Sequence, residues 1–136
     1  MSDDELEKIR RQKLENYMKL QSMPQGIIKI HTPQKYEQLI NDHPSAILII
    51  DFWAEWCGPC KNFAPVFEKL QSEYGNEFIF AKVNVDENGS LAQRFGITGI
   101  PTTVFIQNGN LINKVVGAMG YNGMKNILEK LKSRDQ

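Results

Sequence analysis

From residue 27 onward the chain alternates two hydrophobic periods. Residues 46–52 form an almost unbroken apolar run, the pattern of a strand buried on both faces. Residues 77–84, with Phe78, Phe80 and Val83, predict a second buried strand. A shorter strand is predicted over 27–30. Helical spacing predicts helices over 33–41 (with Thr32 as N-cap), 58–74, 90–95 and 122–132. The last of these places Met124, Ile127, Leu128 and Leu131 on one face. Strands are also predicted over 102–107 and 111–117, joined by Asn108-Gly109, a strong two-residue hairpin signal. Early strand–helix alternation implies parallel strands, and the late hairpin adds antiparallel ones. The expected fold class is therefore α/β, a central mixed sheet flanked by helices on both faces.

Residues 1–25 follow another pattern. They are almost all charged or long-chain polar and end at the breakers Pro24-Gln25-Gly26. A helix is expected over 4–21, capped by Asp3 or Ser2, with acidic residues in its first turn. Leu6, Ile9, Tyr17 and Leu20 give a partial apolar stripe interrupted by Lys13. Two readings follow: a solvated helix, or an element that docks a partner. The segment is neutral, with Lys8, Arg10, Arg11, Lys13 and Lys19 against Asp3, Asp4, Glu5, Glu7 and Glu15, which weakens a nucleic-acid version of the second. The chain thus divides into a charged N-terminal helical extension, 1–25, and a single domain, 26–136.

At 136 residues with 41% apolar and 24% charged content, the sequence is that of a globular domain able to bury its own core. Its formal net charge of zero gives no general attraction to polyanions, so no nucleic-acid partner is expected. No apolar run approaches bilayer length, so no membrane association is expected. The start Met1-Ser2-Asp3-Asp4-Glu5 lacks the basic and apolar regions of a secretory signal, and a cytoplasmic location is expected. In that compartment a Cys-x-x-Cys pair is more often catalytic or metal-binding than a structural staple.

The two cysteines of the chain stand in Trp56-Cys57-Gly58-Pro59-Cys60, at the predicted junction of a strand and a helix. Sulfurs at this spacing can close a disulfide across one helical turn and open it again, carrying two electrons. A helix N-terminus favours a thiolate at Cys57, which would make it the attacking nucleophile. Cys60, one turn deeper, would resolve the mixed disulfide. Pro59, lacking an N–H, suits the first helical turn. Trp53 and Trp56 flank the site and offer a docking surface. The competing reading is half of a zinc site, which needs four ligands. No second cysteine pair exists, and His31 and His43 are the only histidines, so a metal would have to be shared across a dimer. Asp51 ends the apolar strand six residues before Cys57. Buried, its carboxylate would have a raised pKa and could accept the Cys60 proton; otherwise it is a solvated strand end. Pro101, just before a strand, marks either an ordinary trans turn or a cis bond.

Together these features resemble the thioredoxin family. The resemblance is carried by Asp51-Phe52-Trp53-Ala54-Glu55-Trp56-Cys57-Gly58-Pro59-Cys60-Lys61, Ala64-Pro65, Ala81-Lys82-Val83-Asn84-Val85-Asp86, Phe95-Gly96-Ile97, Gly99-Ile100-Pro101-Thr102, Asn108-Gly109 and Gly117-Ala118. It spans residues 27–132 at the family's spacing. It implies a thioredoxin fold, protein-disulfide reductase activity, Cys57 as attacking and Cys60 as resolving cysteine, and Asp51 as buried proton acceptor with Lys82 beside it. It also implies a cis Pro101, an extended substrate pairing with the backbone of Ile100, and a docking surface bordered by Trp56, Gly99 and Gly117 around Gly58 and Pro59. Disulfide isomerases and strong oxidants of the wider fold carry a histidine between the cysteines; Gly58-Pro59 points instead to a reductant. Implied partners are oxidised proteins and an electron donor of the thioredoxin-reductase type, with no metal or bound cofactor and a monomeric state. The departure from the family is the N-terminal extension, which keeps alive a role as a binding module.

Overall fold

The computed structural model describes residues 2–134. After an N-terminal helix, α1 (Asp3–Ser22), come β1 (Ile27–Lys29), α2 (Pro33–Asp42), β2 (Ile47–Trp53), α3 (Gly58–Tyr74), β3 (Phe78–Asn84), α4 (Gly89–Arg94), β4 (Thr102–Gln107), β5 (Asn110–Val116) and α5 (Tyr121–Arg134). The sheet order is β1-β3-β2-β4-β5. The first three strands in space are parallel, and β4 and β5 are antiparallel to their neighbours. The mixed α/β sheet read from the sequence is the one observed.

Alternate residues of the strands feed two separate cores. Leu48, Ile50 and Phe52 of β2 pack with Ile79, Val83, Val104 and Ile106 beneath Tyr36 and Leu39 of α2 and Leu91 of α4. Ile47 and Ile49 pack with Phe78, Phe80 and Phe105 beneath Phe63, Phe67 and Leu70 of α3 and Met124 and Leu128 of α5. This double burial explains why β2 reads as an apolar run rather than an alternating one. Asn108 (φ 53) and Gly109 (φ 77) both take the left-handed region that a two-residue hairpin turn requires.

Element boundaries differ from expectation by a residue or two. β2 runs through Trp53 because its carbonyl accepts the amide of Val85 at 2.9 Å, prolonging the pairing with β3. β3 starts at Phe78 because the amide of Glu77 closes a turn onto the carbonyl of Tyr74 at 3.0 Å. Thr32 caps α2 as expected, accepting the Lys35 amide at 3.2 Å.

α1 presents no buried face among its described side chains: Leu6, Ile9, Leu14, Tyr17 and Met18 are all exposed. Leu20, the last residue of the expected apolar stripe, lies outside the residues whose side chains are described. Met23, placed in the extension by composition, is instead buried with the core of the α2 and α4 face. No helix among the described residues is long and apolar enough to cross a membrane.

Candidate active site

β2, the central strand, delivers the chain to the end of the sheet, and α3 begins after a short loop. Cys57 is the N-cap of α3, in extended conformation (φ −94, ψ 108), with Gly58 and Pro59 in the first turn. Its Sγ accepts the amide of Cys60 at 3.2 Å, so sulfur takes the place of the usual capping oxygen. Cys57 and Cys60 are joined as a disulfide, with Cα atoms 5.3 Å apart. Both are buried, whereas Gly58 and Pro59 between them are exposed. Among the described residues no cluster of three or more His, Cys, Asp or Glu is placed to hold a metal ion.

The loop before β4 approaches from the other side. The Ile100–Pro101 peptide is cis. The carbonyl oxygen of Ile100 lies 3.8 Å from Cys57 Sγ. Thr102 fixes this loop by donating its hydroxyl to the carbonyl of Gly99 at 2.6 Å. The amide of Gly117, just past β5, donates to the carbonyl of Pro101 at 2.7 Å. Ile100 packs against the cysteine pair, and Gly99 and Gly117 are tied to its loop by these two bonds. An open, largely apolar groove of about 370 Å³ continues from this loop, lined by Trp56, Val85, Ala92, Ile97, Gly99 and Ile100. Trp56 is 70% exposed. Its indole N–H donates to Oδ2 of Asp86 at 2.9 Å, which holds the ring over the groove.

Asp51 lies within the sheet beneath α3. It is 1% exposed, and neither carboxyl oxygen has a hydrogen-bond partner among the described residues. Burial pushes its pKa up to about 7, against an opposing pull from the ammonium of Lys82. Lys82 stands next to Asp51 in the β2–β3 register and reaches over the Trp53 ring, 5.6 Å from its centroid. It also lines a smaller pocket of about 180 Å³ with Lys29, His31, Trp53, Glu55 and Glu87. Of the two sequence readings of Asp51, the buried carboxyl is the observed one.

Three contacts here had no local sequence signal. Asp86 and Trp56 are thirty residues apart, and nothing in either neighbourhood announces the bond. The ammonium of Lys114 on β5 donates to the carbonyls of Phe95 at 3.2 Å and Gly96 at 2.9 Å, bracing the entrance to the Ile100 loop. His31 and Glu87 form a 3.0 Å pair at the rim of the smaller pocket. Only an assembled tertiary structure brings such residues together.

The family model described as thioredoxin matches residues 27–130. A thioredoxin of Chlorobaculum thiosulfatiphilum is 43% identical over 91 residues, covering 67% of this chain and 83% of that protein. A thioredoxin of Staphylococcus haemolyticus is 38% identical over 105 residues, covering 77% and 97%. Among solved structures, the thioredoxin of Fasciola hepatica superposes with a TM-score of 0.72 at 35% identity, covering 76% of this chain and 98% of its own.

Proposed function

The chain belongs to the thioredoxin family, and from that premise we propose how its site reduces protein disulfides. The dithiol–disulfide exchange runs through Cys57 and Cys60, the pair found at bonding distance. In the reduced protein the Cys57 thiolate attacks one sulfur of a substrate disulfide, forming a mixed disulfide and releasing the other sulfur as a thiolate. Cys60 loses its proton to the Asp51 carboxylate and attacks Cys57 Sγ. The second substrate sulfur leaves, and the Cys57–Cys60 disulfide closes. Two electrons have passed to the substrate.

The observation that carries the division of labour is the position of Cys57 as N-cap of α3. There the free amides and the positive end of the helix favour a thiolate, whereas Cys60 sits inside the first turn. The groove lined by Trp56, Gly99 and Ile100 takes an extended substrate segment, with the Ile100 backbone as its pairing edge and Pro101 and Gly117 closing one side. Gly58 and Pro59, exposed between the cysteines, let the substrate sulfur approach. Lys82 attenuates the cost of charging Asp51.

The substrates on this reading are oxidised proteins. The spent disulfide is recharged by a reductase of the thioredoxin-reductase class, and the protein serves electron transport and redox homeostasis in the cytoplasm as a monomer. Residues 1–25 form an extension to the catalytic domain of 26–136, with Met23 packed into that domain's core.

The reading is tested by equilibrating the Cys57–Cys60 pair with a thiol redox buffer. A potential near the value typical of thioredoxins, about −270 mV, is expected. A value near that of isomerases, about −180 mV, would replace reductase by isomerase as the function.

A further inference from the structure

One row of the sheet runs through all five strands at the level of the active site. Lys29 of β1 pairs with Lys82 of β3, Lys82 with Asp51 of β2, Asp51 with Thr103 of β4, and Thr103 with Val115 of β5. Residues in register across a sheet project to the same face, and directly opposed antiparallel residues have Cβ atoms about 4.5–5.5 Å apart. The row one pleat further in holds Ile27, Phe80, Ile49 and Phe105 on that face. On β1 to β4 the polar row is thus confined to the end of the sheet where β2 leads into α3, while β5 adds Val115 to it and the polar Asn113 to the row further in.

Thr103 is out of character for a core position. It is 0% exposed, and its Oγ1 has no hydrogen-bond partner among the described residues. Asp51, directly across the pair, is equally buried and its two oxygens are equally unpartnered. Two adjacent orphans of complementary type, a hydroxyl donor and a carboxylate acceptor, rarely stay apart in a folded interior once one is charged. Burial of a hydroxyl with no use costs stability relative to the near-isosteric valine. A partner for the hydroxyl would offset that cost, and Asp51 is the acceptor directly across the strand pair.

We propose that Thr103 is a positioning residue for the proton step, its hydroxyl turning to donate to the Asp51 carboxylate whenever that group is ionised. This rests on the reading of Asp51 as acceptor of the Cys60 proton. The hydroxyl keeps its own proton throughout. It engages one carboxylate oxygen and leaves the other for the thiol. When the proton arrives from Cys60, the acid needs the donor less and the hydroxyl is released. A donor to the charged form favours that form, so Thr103 keeps a larger fraction of Asp51 ionised at neutral pH. The other groups facing Asp51 do different work. Lys82 supplies an attractive charge from β3, with Lys29 beyond it, and α3 supplies the two cysteines. Further in on the same face of the sheet, Phe105 of β4 packs in one apolar cluster with Met124 and Leu128 of α5.

The test is a carboxyl-carbon NMR titration of Asp51 in the full chain, in both redox states, for the wild type, Thr103→Val and Thr103→Ser. Thr103→Val is expected to raise the Asp51 midpoint by about half a pH unit or more in at least the reduced form. The pH profile of protein-disulfide reduction should move in the same direction, and Thr103→Ser should restore both. A midpoint that is unchanged or lowered in Thr103→Val overturns the proposal. Asp51→Asn separates the two readings. If it leaves the rate and its pH profile intact, Asp51 is not the acceptor and the role of Thr103 falls with it. If it slows reduction while Thr103→Val leaves the midpoint still, only the role of Thr103 falls. Valine fits a buried strand position, so loss of folding does not obscure the outcome.

Discussion

The indole of Trp56 is tethered to the carboxylate of Asp86 by a 2.9 Å hydrogen bond, although the ring itself is 70% exposed. An exposed tryptophan would otherwise sample several rotamers. Here Asp86 is itself held, its amide donating to the side chain of Asn84 at 2.9 Å. The ring is thus presented as a fixed wall of the groove beside Ile100. Asp86→Ala should free it. A single hydrogen bond contributes about 0.5–1.5 kcal/mol, and exposure puts this one near the lower end. The KM for a protein disulfide should rise about two- to fivefold with kcat nearly unchanged. A fall in kcat at constant KM would show that Trp56 acts on the chemistry rather than on docking.

The order of the two cysteines can be read from trapped intermediates. On the proposed mechanism, Cys60→Ser retains the nucleophile and removes the group that resolves the mixed disulfide. It should accumulate a covalent adduct with an oxidised protein, visible by non-reducing electrophoresis and cleared by dithiothreitol. Cys57→Ser should accumulate none. Equal trapping by both variants would remove the distinction that the N-cap position supports.

The raised pKa of Asp51 makes a signed prediction about stability. Its carboxyl titrates at 3.8 when unperturbed and at about 7 in the fold. Between those values the native state holds a proton that the unfolded state has released, so stability falls as pH rises through the interval. Above about 7 the cost is complete, on the order of 4 kcal/mol. Asp51→Asn should therefore be more stable than the wild type at pH 8, by an amount that shrinks towards zero below pH 4. Urea denaturation of the oxidised protein at the two pH values measures this. The same variant should slow disulfide reduction at neutral pH by about tenfold or more, within the range of general-base contributions. A stability difference independent of pH would mean that Asp51 is not the group that ionises.

Lys114 carries a structural prediction of its own. α4 ends in a Schellman turn, the amide of Gly96 donating to Gln93 and that of Ile97 to Ala92. Gly96 takes the left-handed conformation (φ 64) that this ending requires. The Lys114 ammonium then satisfies the carbonyls of Phe95 and Gly96. Lys114→Met should cost about 1 kcal/mol, less than a fully buried charged bond because the side chain is half-exposed. Lys114→Arg should recover part of it. No change in the denaturation midpoint would show that water replaces the ammonium at those carbonyls.

What the sequence disclosed and what it withheld divide along one physical line. β2, α3 and the Asn108-Gly109 hairpin were legible because their signals are local: an apolar run, a cap, a turn dipeptide. Cys57, Cys60 and the mixed sheet were legible for the same reason, and the family resemblance supplied Asp51, Lys82 and Pro101 their neighbourhood. The pairing of Thr103 with Asp51 was not legible, because register between β2 and β4 is set by packing on both faces of the sheet. The bond from Trp56 to Asp86 and the reach of Lys114 across to Gly96 depend in the same way on how distant strands align. Met23 falls in the extension by its polar neighbours, yet its side chain is buried in the core.

Leu6, Ile9, Leu14, Tyr17 and Met18 of α1 are exposed, so the described side chains of this helix add little apolar burial to the domain. An isolated helix of its 20 residues is marginal in water without packing. Its first half is supported locally, by Asp3, Asp4 and Glu5 in the first turn, the Ser2 side chain accepting the Glu5 amide at 3.2 Å, and a long 3.9 Å pair between Glu7 and Arg11. Such contacts contribute tenths of a kcal/mol each. Deleting residues 1–22 while keeping Met23 should therefore leave the denaturation midpoint of the domain and its disulfide reduction unchanged within about 0.5 kcal/mol. Replacing Met23 by alanine should instead destabilise by about 2 kcal/mol or more, as for other buried methionines. A deletion that costs as much as Met23→Ala would mean that α1 packs on the domain in solution, and its exposed apolar residues would then belong to the fold.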